Sequence, residues 1–135
     1  MNEDCIFCKI ANSKIPAHKV YEDEHCFAFL DIKPHAKGHT VVIPKKHGMF
    51  ASDFSEKEFQ FLMLGVKKAM ERIQKVLSPD GFNVGWNQGS VAGQVVPHLH
   101  IHILPRYIND GGGSMHSIIS NPGEENVEEV AKKFK

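Results

Sequence analysis

Three imidazoles recur at alternate positions in residues 96–106, where His98, His100 and His102 are each separated by one aliphatic residue. Successive side chains of a β-strand point to opposite faces. The three imidazoles are therefore predicted to share one face, which spans about 13 Å at ~3.3 Å per residue. In a helix, side chains two residues apart do not face each other. The pattern thus favours a strand over residues 98–104, with the aliphatic side chains directed into a core.

A face with three imidazoles has three interpretations. It could be the exposed polar side of a half-buried strand, but such faces mix Lys, Glu, Thr and Ser rather than repeating histidine. It could be a metal site, since two histidines at i and i+2 of a strand can bind one zinc ion. It could also serve nucleophilic catalysis on phosphorus or carbon, with neighbouring imidazoles handling protons. The residues alone leave the metal and the catalytic interpretations open.

A second chemical motif is the pair Cys5 and Cys8, separated by Ile and Phe. A redox C-x-x-C motif is typical of a βαβ setting, and too few residues precede Cys5 to supply its first strand. Half of a zinc site fits better, although it needs two further ligands. Two buried free thiols are the simpler alternative. Cys26 lies in an apolar run and is predicted to be core.

The elements that must position these residues can be read from the pattern. Residues 18–31 predict two short strands around the turn at residues 22–24, and residues 39–43 predict a third strand. Ser55 and Glu58 form a capping box, and an apolar i, i+3, i+4 stripe follows as far as Leu77. The long helix is predicted to end at Ser78.

Beyond the long helix, residues 81–87 predict a strand that leads into a glycine-containing loop at residues 88–94. Such a loop, placed before the histidines, could direct backbone N–H groups toward an anion. Residues 107–123 predict a loop. Residues 124–135 have apolar side chains at helical spacing, acidic residues first and lysines last, so a short docking helix is predicted there.

Composition limits the classes of function. A chain of 135 residues fits one domain over residues 1–135, with its core at about 5–106. Sixteen basic residues balance sixteen acidic ones, which argues against nucleic acid or an anionic membrane as a partner. No apolar run approaches the ~20 residues of a membrane span, and three cysteines are too few for a disulfide scaffold. These features predict a cytoplasmic protein.

The heptapeptide at residues 98–104 resembles the signature of the histidine triad (HIT) superfamily, in which three histidines alternate with apolar residues. The resemblance continues through most of residues 5–106 and is closest to the Hint branch, the nucleoside phosphoramidases of bacterial type. The further matching segments are Cys5–Ile10, Ile15–Pro16, Phe29–Ile32, Gly38–His39, Val42–His47, Asn87 and Gly93–Gln94.

The resemblance implies an α+β fold with an antiparallel sheet of about five strands, one long helix and one short helix. It also implies a homodimer whose sheets join. In some branches of the family a structural zinc ion is bound by residues that correspond to Cys5, Cys8, His47 and His98. This chain keeps all four. No organic cofactor is implied.

The resemblance further implies hydrolysis of nucleoside 5′-phosphoramidates, or related nucleotidyl conjugates of AMP or GMP type, through a covalent nucleotidyl-histidine intermediate. His100 corresponds to the nucleophile, and His102 and His39 to the histidines that move protons. Asp31 corresponds to the ribose-binding carboxylate. The other implied nucleotide-binding positions, which surround the base or face the phosphate and the leaving group, are Ile6, Phe7, Phe29, Ile32, Asn87, Gly93, Gln94 and Val95, together with His100 and His102.

One position departs from the family pattern. Many relatives carry Ser or Thr after the Gly-Gln pair, whereas this chain has Val95, which places leaving-group preference and rate in question. Three alternatives stay open: a diadenosine polyphosphate hydrolase, which shares the triad and the Leu-Pro-Arg after it; a zinc hydrolase with His98, His100 and His102 as ligands; and a non-catalytic nucleotide-binding adaptor.

Overall fold

A five-stranded antiparallel sheet forms the centre of the fold. The computed structural model describes residues 2–135. The helices are α1 (Ile6–Ala11), α2 (Glu56–Leu77) and α3 (Val127–Lys132), and the strands are β1 (Lys19–Glu22), β2 (Cys26–Leu30), β3 (Thr40–Pro44), β4 (Gly81–Gly85) and β5 (Ile101–Arg106). The strands are arranged in the order β1-β2-β3-β5-β4, and every neighbouring pair is antiparallel. The α+β class and the strand number expected from the sequence are confirmed.

Both faces of the sheet are packed, because the strands alternate between two apolar clusters. On β3, Val42 belongs to the cluster beneath α2, whereas Val41 and Ile43 belong to the cluster beside α1. The same alternation holds on β2 for Ala28 and Phe29. Alternate side chains of a strand point to opposite faces, so α2 and α1 pack on opposite sides of the sheet. Cys26 is buried in the cluster beneath α2, as expected for a core thiol.

The long helix begins and ends where the sequence predicted. The Ser55 hydroxyl accepts the Glu58 N–H at 3.1 Å, and the Glu58 carboxylate accepts the Ser55 N–H at 2.8 Å. This reciprocal arrangement satisfies two N–H groups of the first turn. At the other end, Ser78 adopts a left-handed conformation (φ 50°), and its N–H bonds to the Gln74 carbonyl.

The histidine segment enters the sheet later than predicted. β5 covers residues 101–106, so His98 and His100 precede the strand instead of lying within it. Its ladder with β3 runs from Ile103 back to Ile101, which pairs with Val42, and it therefore ends two residues before Pro44, which has no N–H. The Pro44 carbonyl bonds to the His98 side chain instead, at 2.9 Å.

Three other elements differ from the sequence prediction. α1 was not predicted, and it places the two cysteines of the C-x-x-C motif one turn apart. β4 ends at Gly85, two residues before the predicted end. α3 forms at the predicted place but does not dock on the core, since all its residues are exposed and Phe134 beyond it is 86% exposed. Within residues 2–135, no helix is long and apolar enough to cross a membrane.

Gly65 marks the closest approach of α2 to the sheet, and its replacement by alanine should destabilise the fold. A Cβ at this position would collide with the Cys26 sulfur and lie 3.4 Å from the Cys26 Cβ. Alanine has the higher helix propensity, by roughly 1 kcal/mol, but overpacking of a rigid core costs about 1–3 kcal/mol. Urea unfolding should therefore show a net loss of stability for Gly65→Ala.

The double variant Gly65→Ala/Cys26→Ala is the matched control, because it removes the sulfur that a new methyl group would meet. We expect it to be more stable than Cys26→Ala alone. If Gly65→Ala were as stable as the wild type, the close approach of α2 to β2 would be wrong.

Candidate active site and metal cluster

His100 has one ring nitrogen bound to the protein and one that is free to react. The His100 Nδ1–H donates to the His98 carbonyl oxygen at 2.7 Å. A neutral imidazole carries one proton, so this bond leaves the Nε2 of His100 unprotonated. The ring is buried and contacts the edge of Phe7, with ring centroids 5.0 Å apart. The site thus holds an imidazole lone pair in a fixed orientation.

A chain of hydrogen bonds runs through His39 to His102. The His35 backbone N–H donates to the Nδ1 of His39 at 3.1 Å. The proton of His39 is therefore on Nε2, which lies 2.9 Å from the Nδ1 of His102. Since that nitrogen accepts, His102 carries its own proton on Nε2. The ring centroids of His102 and His100 are 5.1 Å apart, so the two imidazoles are neighbours.

Burial favours the neutral form of this pair. It lowers the pKa of His102 from its ordinary value of 6.5 to about 4, and the imidazoles of His100 and His39 act in the same direction. Burial also lowers the pKa of His39, although the carboxylate of Asp31 opposes the shift. Both rings are therefore neutral at pH 7, as the hydrogen-bond directions require.

These lowered pKa values predict a loss of stability in mild acid. Below pH 6.5 these histidines bind protons in the unfolded chain. In the folded chain they bind protons only at lower pH, because their pKa values are lowered. The free energy of unfolding therefore falls as the pH drops from 7 to 5. For His102 the loss should be on the order of 1 kcal/mol, allowing for its partial exposure. Urea unfolding at both pH values should give a smaller loss for His102→Gln than for the wild type.

His18→Gln is the matched control for this experiment, because it removes an exposed imidazole outside the site. We expect it to keep the wild-type dependence on pH. An equal loss in wild type and His102→Gln would contradict the direction assigned to the pKa of His102.

Asp31 links the end of β2 to the histidine chain. One carboxylate oxygen accepts the Lys33 N–H at 2.9 Å, which closes a turn, and the other lies 3.7 Å from the Nε2 of His39. The turn-capping role that the sequence allowed is thus present. Asp31 remains partly exposed, so the same carboxylate can still accept hydrogen bonds from a ligand.

Apolar residues surround one side of His100, but unevenly. Phe7 and Phe29 meet edge to face, with ring centroids 5.8 Å apart, and Phe29 is buried. Ile6 is half exposed, and Ile32 is 84% exposed. Two aromatic rings therefore form a fixed wall beside His100, and the two isoleucines have apolar surface available for contact with a ligand.

The loop before the triad is braced by the two glutamines that flank it. The Gln94 oxygen accepts the Gly89 N–H at 2.8 Å, and its NH₂ group donates to the Met49 and Val96 carbonyls. Its side chain thus holds the loop in place. The Gln88 oxygen accepts the Ala51 N–H at 3.0 Å.

The remaining loop positions are more accessible. Gly93 has a left-handed conformation (φ 101°) in which other residues would be strained, and a Cβ there would lie 3.7 Å from the Asn87 amide nitrogen. Asn87 itself is exposed. Val95 is 89% exposed. An exposed valine provides no hydroxyl donor, so the hydrogen bond expected of a Ser or Thr at this position has no equivalent here.

Four side chains that can act as metal ligands lie close together around His98. The donor atoms of Cys5, Cys8, His47 and His98 all lie within 4.8 Å of one another. The His98 Nδ1 is 3.4 Å from the Cys5 sulfur and 3.5 Å from the Cys8 sulfur, and it is 3.2 Å from the His47 Nδ1. The Cys8 sulfur is 3.3 Å from the His47 Nδ1.

These separations fit a tetrahedral metal ion. Zn–N bonds of ~2.0–2.1 Å and Zn–S bonds of ~2.3 Å give donor–donor distances of about 3.3–3.8 Å around a tetrahedron. The His98 Nε2–H donates to the Pro44 carbonyl at 2.9 Å, which leaves its Nδ1 lone pair directed into the cluster. The four residues can therefore hold a metal ion.

A family model described as the HIT domain matches residues 12–109. The chain belongs to the HIT family.

Relatives of this HIT chain come from distant organisms. An uncharacterized HIT-like protein of Methanocaldococcus jannaschii is 48% identical over 131 residues, which cover 97% of this chain and 98% of that protein. The adenosine 5′-monophosphoramidase of Saccharomyces cerevisiae is 42% identical over 102 residues, or 76% of this chain and 62% of the yeast protein. The crystal structure of a HIT family protein from Bacillus subtilis superimposes with a TM-score of 0.82 at 41% identity, covering 98% of this chain and 95% of that one.

The zinc hydrolase with all three triad histidines as ligands does not fit the HIT geometry seen here. Among residues 2–135, the groups with metal-ligand spacing are the Cys5 cluster and a second set formed by Asp31, His39 and His102. His98 belongs to the first group and His102 to the second, while the Nδ1 of His100 is bound to a carbonyl. The three imidazoles thus have three separate partners, and no group includes all of them.

Several contributors to the site were not identified from the sequence. The Pro44 carbonyl fixes the tautomer of His98, and the His98 carbonyl fixes that of His100. The His35 N–H does the same for His39. Backbone groups are the same in every residue, so the residue types do not indicate these contacts. Only the position of Pro44 at the end of a strand was a usable signal.

Proposed function

We propose that this HIT protein hydrolyses nucleoside 5′-phosphoramidates, or related nucleotidyl conjugates of AMP or GMP type, through a covalent nucleotidyl-histidine intermediate. The observation that carries the proposal is the bond from the His100 Nδ1–H to the His98 carbonyl, because it presents an unprotonated Nε2 as a nucleophile. The yeast relative named adenosine 5′-monophosphoramidase supports the same reaction class.

In the first step, the Nε2 lone pair of His100 attacks the α-phosphorus, and the bond from phosphorus to the departing nitrogen breaks. The His102 Nε2–H, which has no protein acceptor among residues 2–135, is placed to donate toward the phosphoryl group. A bound phosphate is anionic and favours the protonated form of a nearby imidazole. The pair of His39 and His102 can then take up one proton and give it to the leaving amine.

In the second step, water attacks the phosphorus, and the bond from phosphorus to His100 breaks. The proton of the attacking water passes to the His39–His102 pair, which then returns one proton to solvent in place of the one it took up before the first step, so both rings end neutral as they began. The products are the amine and the nucleoside monophosphate. Imidazole suits both steps because its ordinary pKa lies near neutral pH.

The nucleotide would be bound on the side of His100 that faces α1. We assign the ribose hydroxyls to the Asp31 carboxylate, since a charged acceptor gives strong hydrogen bonds. The base would lie against Phe7 and Phe29, with Ile6 and Ile32 covering it. Asn87 and the backbone of Gly93 are assigned to the phosphate side, and Gln94 to support of their loop.

The metal cluster is proposed to hold a structural zinc ion. Four protein ligands close a tetrahedral site and leave no open position for water, so the ion would supply stability rather than catalysis. Two thiols with two imidazoles form a donor set typical of Zn²⁺. The ligand His98 also holds the proton of His100 through its carbonyl, and in this way the cluster would support the nucleophile.

A homodimer is proposed as the working unit. β4 stands at the edge of the sheet, where its unpaired backbone groups can pair with another strand. Two copies joined through this edge would form one continuous sheet. The cytoplasmic location expected from the sequence is likewise a proposal.

The test of the proposed reaction is the release of AMP from adenosine 5′-phosphoramidate, with intact mass recorded after rapid acid-free quenching. Turnover together with a nucleotidyl adduct on the chain is the expected result. Binding of AMP without hydrolysis of the phosphoramidate or of a dinucleoside polyphosphate would favour the adaptor alternative instead. Preference for the dinucleoside polyphosphate would favour the diadenosine hydrolase.

A further inference from the structure

The two cysteines of the C-x-x-C motif lie side by side in the fold. Cys5 is the N-cap residue of α1, and Cys8 lies in the first turn of that helix. The Cys8 N–H donates to the Cys5 sulfur at 3.5 Å, and the two sulfurs lie within 4.8 Å of each other. Cys26 is buried beneath α2, on the opposite side of the sheet from α1. Within one chain, Cys5 and Cys8 can therefore pair only with each other.

Both sulfurs are buried, but the segment that carries them is close to solvent. Cys5 is 6% exposed and Cys8 is 1% exposed. His47, on one side of the cluster, is partly exposed, and residues 2–4 before Cys5 are exposed. A helix of six residues is too short to be stable by itself, and such segments open locally more readily than the core of a sheet. A small oxidant can therefore reach the sulfurs while the sheet stays folded.

The cluster contacts two parts of the proposed nucleotide site. The carbonyl of its member His98 accepts the His100 Nδ1–H at 2.7 Å. α1, which carries Cys8, also carries Phe7, whose ring centroid is 5.0 Å from that of His100 and 5.8 Å from that of Phe29. A change at the two sulfurs is thus transmitted by direct contacts to the nucleophile and to the wall beside the base.

We propose that Cys5 and Cys8 form a reversible thiol switch, in which oxidation by a peroxide joins them as a disulfide, releases the metal ion and slows phosphoramidate turnover. This inference rests on the structural zinc and the reaction proposed above. The Cβ atoms of residues three apart on a helix are about 5–6 Å apart, and those of a disulfide are about 3.5–4.5 Å apart. Cys5 has an extended backbone (φ -88°, ψ 122°) outside the helix, so a small shift of this residue closes the bond.

The oxidation needs hydrogen peroxide and two protons from solvent. The sulfur of Cys5, the more exposed of the two residues, attacks one peroxide oxygen, and the O–O bond breaks. The departing oxygen takes up a proton and leaves as water, so Cys5 becomes a sulfenic acid. The Cys8 sulfur then attacks the Cys5 sulfur, the S–O bond breaks, and a second water leaves with the second proton. The two thiolates together lose two electrons, which reduce the peroxide to water.

The disulfide removes half of the metal site. Thiolates are metal ligands, and the two imidazoles left, those of His47 and His98, do not close a tetrahedral site. The sulfurs that lie 3.4 and 3.5 Å from the His98 Nδ1 no longer have protons to donate to it, so the His47 Nδ1 at 3.2 Å becomes its one partner within the cluster. Because a buried polar atom needs a partner, the fully buried ring of His98 must pair with His47 instead, and the carbonyl that holds His100 moves with it.

The experiment treats the zinc-loaded wild type with hydrogen peroxide. Released zinc is measured with a chromogenic chelator, free thiols by titration, and the disulfide by peptide mass mapping. We expect two of the three thiols to be lost together with the zinc, and the mapped bond to join Cys5 and Cys8. The kcat/KM for adenosine 5′-phosphoramidate should fall by about tenfold or more, as is typical when the support of a site is lost.

Two controls separate the switch from other oxidation. Cys26→Ala removes the third thiol, and it should release zinc and lose activity as the wild type does. Burial raises the pKa of Cys26 to about 12, so this thiol is expected to be inert toward peroxide. Dithiothreitol with added zinc should restore the thiols, the bound metal and the turnover. The chain has five methionines, and damage through their sulfoxides, which need a dedicated reductase, would not be reversed by this treatment.

The outcomes distinguish this inference from the proposed function. Zinc that stays bound with both thiols intact, at a peroxide concentration that oxidises glutathione, would overturn the switch. Release of zinc with unchanged turnover would overturn the control of the active site. A reduced wild type that binds no zinc would overturn the structural metal and this inference together. Zinc release and a mapped disulfide in a protein whose reduced form hydrolyses no phosphoramidate would overturn the proposed reaction, and with it the control of turnover, while establishing the disulfide and the metal release.

Discussion

Replacement of His100 by alanine should reduce phosphoramidate turnover by on the order of 10⁴-fold or more, because it removes the only nucleophile the mechanism uses. The neighbouring imidazoles cannot substitute for it. The His98 Nδ1 points into the metal cluster, and the His102 Nδ1 accepts from His39. Nucleotide binding should persist, since the assigned ribose and base contacts lie on α1, on β2 and in the turn directly after β2.

The measurement is single-turnover release of AMP with intact mass of the quenched protein, in parallel with AMP binding by calorimetry. His18→Ala serves as a control for the loss of an imidazole, because that residue is exposed and lies outside the site. Wild type and His18→Ala should show the nucleotidyl adduct, and His100→Ala should not. An adduct that persists in His100→Ala would place the nucleophile elsewhere.

The start of α2 and the turn between β1 and β2 could be predicted from the sequence because their signals are local. The Ser55–Glu58 capping box marks the start of α2, and the carboxylate of Asp23 bonds to the N–H groups of His25 and Cys26 in the predicted turn between β1 and β2. Both features are formed by hydrogen bonds of particular side chains, so the residue types indicate them.

The conformation of the histidine segment, residues 98–104, was harder to predict, because it depends on a neighbouring strand. The alternation of residues 98–104 predicted one continuous strand, but the ladder ends near Pro44, and His98 bonds to its carbonyl. The periodic pattern was thus correct for β5 from Ile101 onward and wrong before it. No pattern within the segment contains this information.

The roles of Gln94 and α3 also depend on context. An amide beside a glycine loop fits phosphate binding, yet the loop leaves three backbone groups that the Gln94 side chain satisfies. Amphipathic spacing in residues 127–134 predicted a docked helix, but this chain alone offers α3 no covering surface. Periodicity predicts a helix and its apolar side without specifying what covers it.

Replacement of Cys8 by alanine should have the second large effect. The cluster joins α1 to the end of β3 and to the triad, and Cys8 is buried between the rings of His47 and His98. Burial raises the pKa of its thiol in the metal-free chain, so a bound cation is needed to favour the thiolate at pH 7. Without this ligand we expect loss of the metal and of at least about 3 kcal/mol of stability.

The design for Cys8→Ala pairs metal content by mass spectrometry with urea unfolding, and Cys26→Ala is the matched control. Both residues are buried cysteines, but Cys26 lies beneath α2 and has no imidazole partner among residues 2–135. Wild type and Cys26→Ala should each hold one zinc ion per chain, and Cys8→Ala should hold none and unfold at lower urea. Since both variants lose a buried sulfur, the difference between them isolates the metal from the packing. Metal-free wild type, together with equal destabilisation of the two variants, would show that the cluster is a hydrogen-bonded thiol–imidazole group instead.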